Sequence, residues 1–332
     1  MTKSTNKIIV VKNLKKYFPL SRGFIAALLN RGETKMVHAV DGVSLEIAEG
    51  ETIGLAGESG CGKTTTAKVM VRLYEPSDGQ VLFNNENIAH LKGTELKRFR
   101  RKAQMIFQDP YESLNPRYTV GMTVEEPLII HGYRGFDERQ KRVYETLHIA
   151  GLRPVDEFID RYPHEMSGGQ RQRVAIARAL VLKPKFIVAD EPVSMLDVSI
   201  RAGVLNLLRQ LTIDMGLASL YISHDLSLIR YICDKTAVMY LGRIVEIGPT
   251  EQVIRSPRHP YTKVLIEAVP VPDPDSKRPE PNISGEVPSP IALPSGCRFH
   301  PRCQEATDQC RKEPPPAIQV GANHFVECHQ FR

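Results

Sequence analysis

Eight consecutive residues, Gly57-Glu58-Ser59-Gly60-Cys61-Gly62-Lys63-Thr64, fit the spacing G-x-x-x-x-G-K-[ST]. Their chemistry is phosphate binding. Glycines let backbone N–H groups turn inward around phosphate oxygens, a concavity that a Cβ would obstruct. A helix opening behind them aims its positive end at the same oxygens. Lys63 supplies a point charge to the β- and γ-phosphates, and the Thr64 hydroxyl is suited to Mg²⁺. The candidate nucleotide-binding residues are Gly57, Glu58, Ser59, Gly60, Cys61, Gly62, Lys63, Thr64 and Thr65, with Cys61 read as a small spacer.

A phosphate loop of this kind needs a carboxylate for its metal, and "FIVADEP" offers one. Four apolar residues place Asp190 at the end of a buried strand, where it can hold Mg²⁺ directly or through water. Glu191 follows and can polarise a water in line with the γ-phosphate as general base. "HEMSGGQRQRVAIARAL" sets Ser167, Gly168, Gly169 and Gln170 ahead of a helical stretch, a second phosphate-facing surface. One nucleotide on one chain has no use for two such surfaces. Two chains packed head to tail do, each offering its Ser-Gly-Gly to the nucleotide held by the other. "YISHD" puts His224 after an apolar strand, in reach of a γ-phosphate.

The elements that must position these groups can be read from periodicity. "KIIVVKNLKKYF" has the β-branched content of a strand, and "AVDGVSLEIAEGETIGLAG" reads as two strands parted by Glu49–Gly50. "TTTAKVMVRLY" has helical spacing. "DGQVLFNNENI" and "TAVMYLGRIVEIGP" read as hairpins, and "QMIFQD", "KPKFIVADEP" and "LASLYISHDL" as strands. Residues from about 116 to 165 look mostly helical. "FIAALL", within the stretch 19–37, suits a small helix or hairpin and receives no chemistry. Strands alternating with helices imply an α/β domain with a substantially parallel sheet. Residues 270–332 hold half of the 24 prolines and little periodicity, so a loop-rich appendage is expected there.

Composition narrows the partners. At 332 residues, 42% hydrophobic and 25% charged, the chain has the makeup of an ordinary globular protein with room for one large domain and an appendage. The net charge of +6 is spread along the chain. Its densest basic run, Lys97–Lys102, contains one aromatic, Phe99, which is no stacking platform for nucleic acid. No apolar run approaches the roughly 18–20 residues that span a bilayer, and the first residues lack a signal peptide's apolar region. The reading is a cytosolic chain whose six cysteines are reduced.

Taken together the motifs resemble the nucleotide-binding subunits of ABC transporters over roughly residues 7–265. "GESGCGKTT" is similar to the Walker A motif, "IFQDP" to the Q-loop with Gln108, and "MSGGQ" to the signature. "FIVADE" resembles Walker B, "SMLD" the D-loop with Asp197, and "ISHD" the switch histidine. The resemblance implies a P-loop NTPase core of α/β type with an antiparallel β portion and a helical subdomain at about 116–180. It also implies that Gln108 senses Mg²⁺ and the attacking water and relays to the membrane subunits, and that Asp197 contacts the opposite Walker A. The family's adenine-stacking aromatic falls on Phe18, with Tyr17 as the alternative. Met166 and Met195 replace the usual Leu and Ala, apolar exchanges that leave the chemistry intact.

Within the family, "FQDPYESLNPR", "RYPHEMSGGQRQR", "LDVSIRA", "RHPYTK" and the tail "GEVPSPIALPSGCRFHPRC" resemble the oligopeptide/dipeptide import branch, in its F-type subunit. That implies ATP and Mg²⁺ as cofactors, and a peripheral place on the cytoplasmic face of the membrane. The implied partners are a paired homologous ATPase, two permeases and an external substrate-binding protein. Nickel or another small solute is the alternative cargo. DNA-repair relatives carry long heptad insertions and ribosome-acting ones two cassettes per chain, and neither feature occurs here.

Cys297, Cys303, Cys310 and Cys328 are spaced C-x5-C-x6-C-x17-C, wider than the knuckles of common zinc sites. Such spacing suits a loop wrapped around a larger object. The resemblance implies a 4Fe–4S cluster on four thiolates, with Zn²⁺ as the alternative and redox sensing as a further reading. His300, His324 and His329 are substitute ligands, and Cys233 is read as a small core residue. The expected domains are therefore 1–265 and a cysteine-rich extension, 266–332.

Overall fold

The computed structural model describes residues 6–20, 35–268 and 285–331. The "FIAALL" stretch lies outside the described residues. In chain order the strands are β1 (Lys7–Pro19), β2 (Met36–Ala48), β3 (Thr52–Ala56), β4 (Asp78–Phe83), β5 (Glu86–Asn87) and β6 (Ala103–Ile106). They continue as β7 (Phe186–Asp190), β8 (Ala218–Ile222), β9 (Lys235–Tyr240), β10 (Arg243–Pro249), β11 (Ala317–Gly321) and β12 (His324–Glu327). The chain forms two compact units. The first comprises residues up to Ile9, Glu46–Thr52 and Leu82–Ile222; the second comprises Val10–Leu45, Ile53–Val81 and Ser223 onward.

In the first unit β6, β7 and β8 pair in parallel. Every residue of β7 and β8 is buried, as their unbroken apolar runs require of strands covered on both faces. A second core gathers the helices Val120–Ile130 and Phe136–Ile149 around the helix Gly168–Leu180, through Val124, Leu128, Val143, Leu147, Val174 and Val181. The members of this cluster run from Leu114 to Leu182. Met166 sits in it at 4% exposure, so its exchange for leucine is a packing matter.

In the second unit the strands run in the order β11-β12-β10-β9-β3. The β3–β9 pair is parallel, and β9–β10, β10–β12 and β11–β12 are antiparallel. The expected hairpin closes at Leu241-Gly242, both with positive φ (41° and 80°), a turn whose twist matches its strands. The helix expected from Thr64 to Tyr74 stops at Met70, and Arg72 takes φ 56°.

The tail departs from expectation. Far from being only loop, it supplies β11 and β12, and β12 pairs with β10 through Glu246–Val326 and Ile247–Phe325. Its Phe299 is 2% exposed and packs with Val238, Tyr240, Val245, Val253 and Tyr261 in one core. The compact units accordingly show no break at residue 266. Periodicity missed this because each tail strand is short and its partner lies far away in sequence.

Candidate active site

The second unit carries the phosphate loop. It leaves β3 at Ala56 and ends in the helix Lys63–Met70. Two of its glycines are sterically required. Gly57 has φ 149°, and a Cβ there would lie 2.3 Å from the Met239 carbonyl oxygen. Gly62 has φ 106°, and a Cβ would meet the Ala39 carbonyl oxygen at 2.1 Å. Lys63 is 6% exposed, and its ammonium donates to the carbonyls of Gly57 (2.8 Å) and Glu58 (2.9 Å). The loop thus folds around its own lysine, a cation held over a ring of backbone dipoles. Cys61 is buried beside it, and burial pushes its thiol up, which suits a spacer.

Residues that the motif does not contain hold this loop in place. The Tyr261 hydroxyl accepts the Glu58 N–H at 2.9 Å. Arg302, from the tail, grips the Glu58 carboxylate with both terminal nitrogens, at 2.9 and 3.2 Å. Phe18, at the end of β1, meets Tyr74 edge-on with 5.5 Å between ring centroids and has Lys16 4.9 Å from its ring. Tyr17 points its hydroxyl into Asp41 instead, and Arg298 of the tail binds the same carboxylate. Burial raises Asp41, but Tyr17 and Arg298 outweigh it and hold the carboxyl below its ordinary range. That engagement makes Phe18 the freer ring of the two. His224 is exposed between β8 and the helix Leu226–Ile232, which Asp225 caps by accepting Ser227 N–H at 2.8 Å.

In the first unit Asp190 ends β7 at 4% exposure. Glu191 follows with φ 44°, a left-handed backbone that a non-glycine residue adopts at a cost of order 1–3 kcal/mol. Its carboxylate accepts from the Gln108 side-chain amide at 3.1 Å, so the Q-loop and the proposed base are in contact. The Q-loop is itself fixed. Asp109 caps the turn Pro110–Ser113 by accepting Tyr111 N–H at 2.7 Å, and Arg178 donates to the Ser113 carbonyl at 2.7 Å. Ser167 caps the signature helix: its hydroxyl accepts Gln170 N–H (3.3 Å), while the Gln170 side chain accepts Ser167 N–H (2.9 Å). Gly168 opens that helix, and Gly169 is packed so close that a Cβ would lie 2.5 Å from Ile200 Cγ2. Asp197 is exposed at the start of the helix Val198–Met215, and its neighbour Met195 is 61% exposed.

The tail thiols form no disulfide. Burial pushes the Cys297, Cys303 and Cys328 thiols up, opposed by the backbone N–H groups of Phe299, Glu305 and Gln330. Burial first, then mutual repulsion among the four thiols, pushes Cys297 up to about 11. Among the described residues no group of three or more His, Cys, Asp or Glu is arranged to hold a metal ion. The histidines considered as substitute ligands are engaged elsewhere: His324 with Glu246 (2.7 Å), His300 with the Cys297 carbonyl (2.9 Å) and His329 with the Glu313 carbonyl (2.9 Å). Cys233 is buried against Gly54, as expected.

This geometry can be set against known proteins. The chain is 45% identical, over 98% of its length and 97% of the relative's, to the oligopeptide transport ATP-binding protein AppF of Bacillus subtilis. It has the same identity and coverage with the dipeptide transport ATP-binding protein DppF of Haemophilus influenzae. The chain belongs to the ABC transporter ATP-binding family. The family model described as "ABC transporter" matches residues 40–194, and that for the "oligopeptide/dipeptide transporter, C-terminal region" matches 245–310. Among solved structures, the dimeric ATP-binding cassette MJ0796 bound to ADP and Pi has a TM-score of 0.63 and 31% identity, covering 73% of this chain and 98% of its own. The cassette fold expected from the motifs, an ATP-hydrolysing P-loop core with parallel and antiparallel strands, is the fold of this family. No helix among the described residues is long and apolar enough to cross a membrane.

Proposed function

We propose that this cassette hydrolyses ATP to power peptide import, and that its site residues act as their motif positions imply. Phe18 stacks the adenine, while Lys63 and the loop N–H groups take the phosphates. Thr64, Gln108 and Asp190 are hard oxygen donors that suit Mg²⁺, which when bound draws charge off the β- and γ-phosphates. Glu191 takes the proton of the attacking water, Gln108 orients that water, and His224 bonds the γ-phosphate. Ser167, Gly168, Gly169 and Gln170 serve the nucleotide of a paired ATPase, and Asp197 meets that partner's Walker A motif. The observation that carries this reading is the Gln108–Glu191 hydrogen bond, 3.1 Å long, on a Glu191 backbone held at φ 44°. A strained residue joined to the Q-loop is in the position of a base whose action is relayed.

Peptides are the cargo that the C-terminal region match and the names of the relatives support. A cleft of about 250 Å³ beside the Q-loop, lined by Phe107, Glu126, Ile130 and Arg178, suits a permease segment. The external substrate-binding protein and the cytoplasmic face of the membrane belong to the same reading. For the tail, the four reduced cysteines are read by their number and spacing as ligands of a 4Fe–4S cluster, which would have to draw them into a group they do not form here.

Glu191→Gln tests the base. ATP binding should persist while phosphate release falls by about 10²–10⁴-fold, and the variant should elute as an ATP-dependent dimer. Phosphate release at the wild-type rate overturns the assignment. Uptake of a labelled tripeptide in cells lacking the chain tests the cargo, with labelled nickel as the competing arm. Iron, sulfide and zinc analysis of protein purified without oxygen tests the cluster; a colourless, iron-free protein defeats it.

A further inference from the structure

The second Walker A position is a carboxylate, Glu58, in a loop whose task is to hold a polyphosphate. Left alone, that charge would repel the nucleotide. It is not left alone. Arg302 covers it with a two-pronged ion pair (2.9 and 3.2 Å), and Arg302 is itself 7% exposed over an aromatic platform. The platform is Tyr240, Tyr261 and Phe299, with ring centroids 4.7–5.4 Å apart. Tyr261 of this platform also takes the Glu58 N–H. Both the charge and the backbone direction of Glu58 are therefore fixed by the C-terminal part of the chain.

The arginine has little freedom. It lies in the short loop between Cys297 and Cys303, where Arg302 N–H donates to the Phe299 carbonyl (3.0 Å) and Cys297 N–H to the Cys310 carbonyl (2.8 Å). The same loop sends Arg298 to Asp41 and to the Leu241 carbonyl. Two arginines, bracketed by two cysteines, thus clamp the nucleotide-binding loop and β2.

We infer that Arg302 is a positioning residue for ATP: held by the thiol-flanked loop, it neutralises and orients Glu58, so that the cysteine-rich tail sets the cassette's affinity for nucleotide. The inference rests on the reading that the loop binds ATP. Its consequence is that a change in the fold of the tail is felt at the phosphates before it is felt at the hydrolytic carboxylate.

A double-mutant cycle with a fluorescent ATP analogue and steady-state kinetics tests it. Arg302→Met should raise Kd and KM about tenfold by exposing an unpaired carboxylate to the phosphates, with kcat within about twofold. Adding Glu58→Gln to that variant should recover most of the lost affinity, because the repelling charge is gone. Arg302→Lys should fall between, keeping the charge without the fork. Unchanged Kd in Arg302→Met, or losses that simply add in the double variant, overturns the inference. Should Arg302→Met fail to fold, Arg302→Gln keeps a polar side chain over Tyr240 but removes the charge; it should raise Kd about threefold, and an unchanged Kd defeats the inference equally. Wild-type protein that binds no ATP defeats the functional reading itself, a distinct result.

Discussion

Two helices of this cassette begin in glycine-rich turns, and their first turns are treated in opposite ways. The P-loop helix, Lys63–Met70, starts from Gly62 with no side-chain cap. The signature helix, Gly168–Leu180, starts from Ser167 with a closed capping box. Every helix leaves its first N–H groups without partners inside the helix. At the P-loop no cap side chain takes them, as suits a helix end proposed to face a phosphate. At the signature, Ser167 and Gln170 satisfy each other. On the proposed roles, one site is open to its ligand from the moment of folding, and the other would have to exchange an internal hydrogen bond for an external one. That difference suits a primary binding site and a conditional one that completes only when a second chain brings its nucleotide.

The largest effect that would break this comparison lies at the ready site. Lys63→Ala removes a buried cation that otherwise donates to the Gly57 and Glu58 carbonyls. It should weaken ATP binding by at least about a hundredfold, since charge-assisted bonds to phosphate are lost with nothing in exchange. Calorimetric titration with MgATP measures this. Binding near the wild-type level would mean that the loop's backbone, not its lysine, holds the phosphates.

How much of this was legible in the sequence follows from the reach of each interaction. Gly57 to Thr65, Gln108, Ser167 to Gln170 and Asp190–Glu191 sit in short runs whose local order spells out their motifs, so the proposed roles can be read from neighbours in sequence. The unbroken apolar runs of β7 and β8 announced buried strands for the same reason. Tyr261 and Arg302 left no such mark. They reach Glu58 across 203 and 244 positions, and neither type nor spacing tells where a tyrosine in "HPYTK" or an arginine in "RFHPRC" will point. The tail strands were missed likewise: β12 pairs with β10 across a gap that periodicity does not bridge. The left-handed backbone of Glu191 has no sequence signal at all, because glutamate rarely adopts it.

Next in size is Ser167→Ala, which sharpens the conditional site. Its loss of the cap should cost about 1 kcal/mol of stability, read as a lower denaturation midpoint. If the hydroxyl serves the partner's nucleotide as proposed, ATP binding to the isolated chain should stay as it was, while ATPase turnover falls about tenfold. Equal losses in binding and turnover would show the two helix ends to be one site rather than two.

The smallest effect is the most discriminating, and it comes from Gln170→Ala. The substitution deletes only the side-chain acceptor of Ser167 N–H; the bond from the backbone N–H of residue 170 to the serine hydroxyl survives. Stability should drop by about 0.5 kcal/mol, the low end of the range for capping losses. If the closed box is what the signature must open before it can serve a phosphate, its half-removal makes that exchange easier. In a Glu191→Gln background, where dimers accumulate, the ATP concentration for half-maximal dimerisation should then fall about twofold, one donor no longer having to be taken from an internal partner. A rise instead would mean that the service to the partner's nucleotide proposed for Gln170 outweighs the opening of the capping box, which would then carry no energetic weight in closure. Sedimentation velocity across an ATP titration separates the two outcomes.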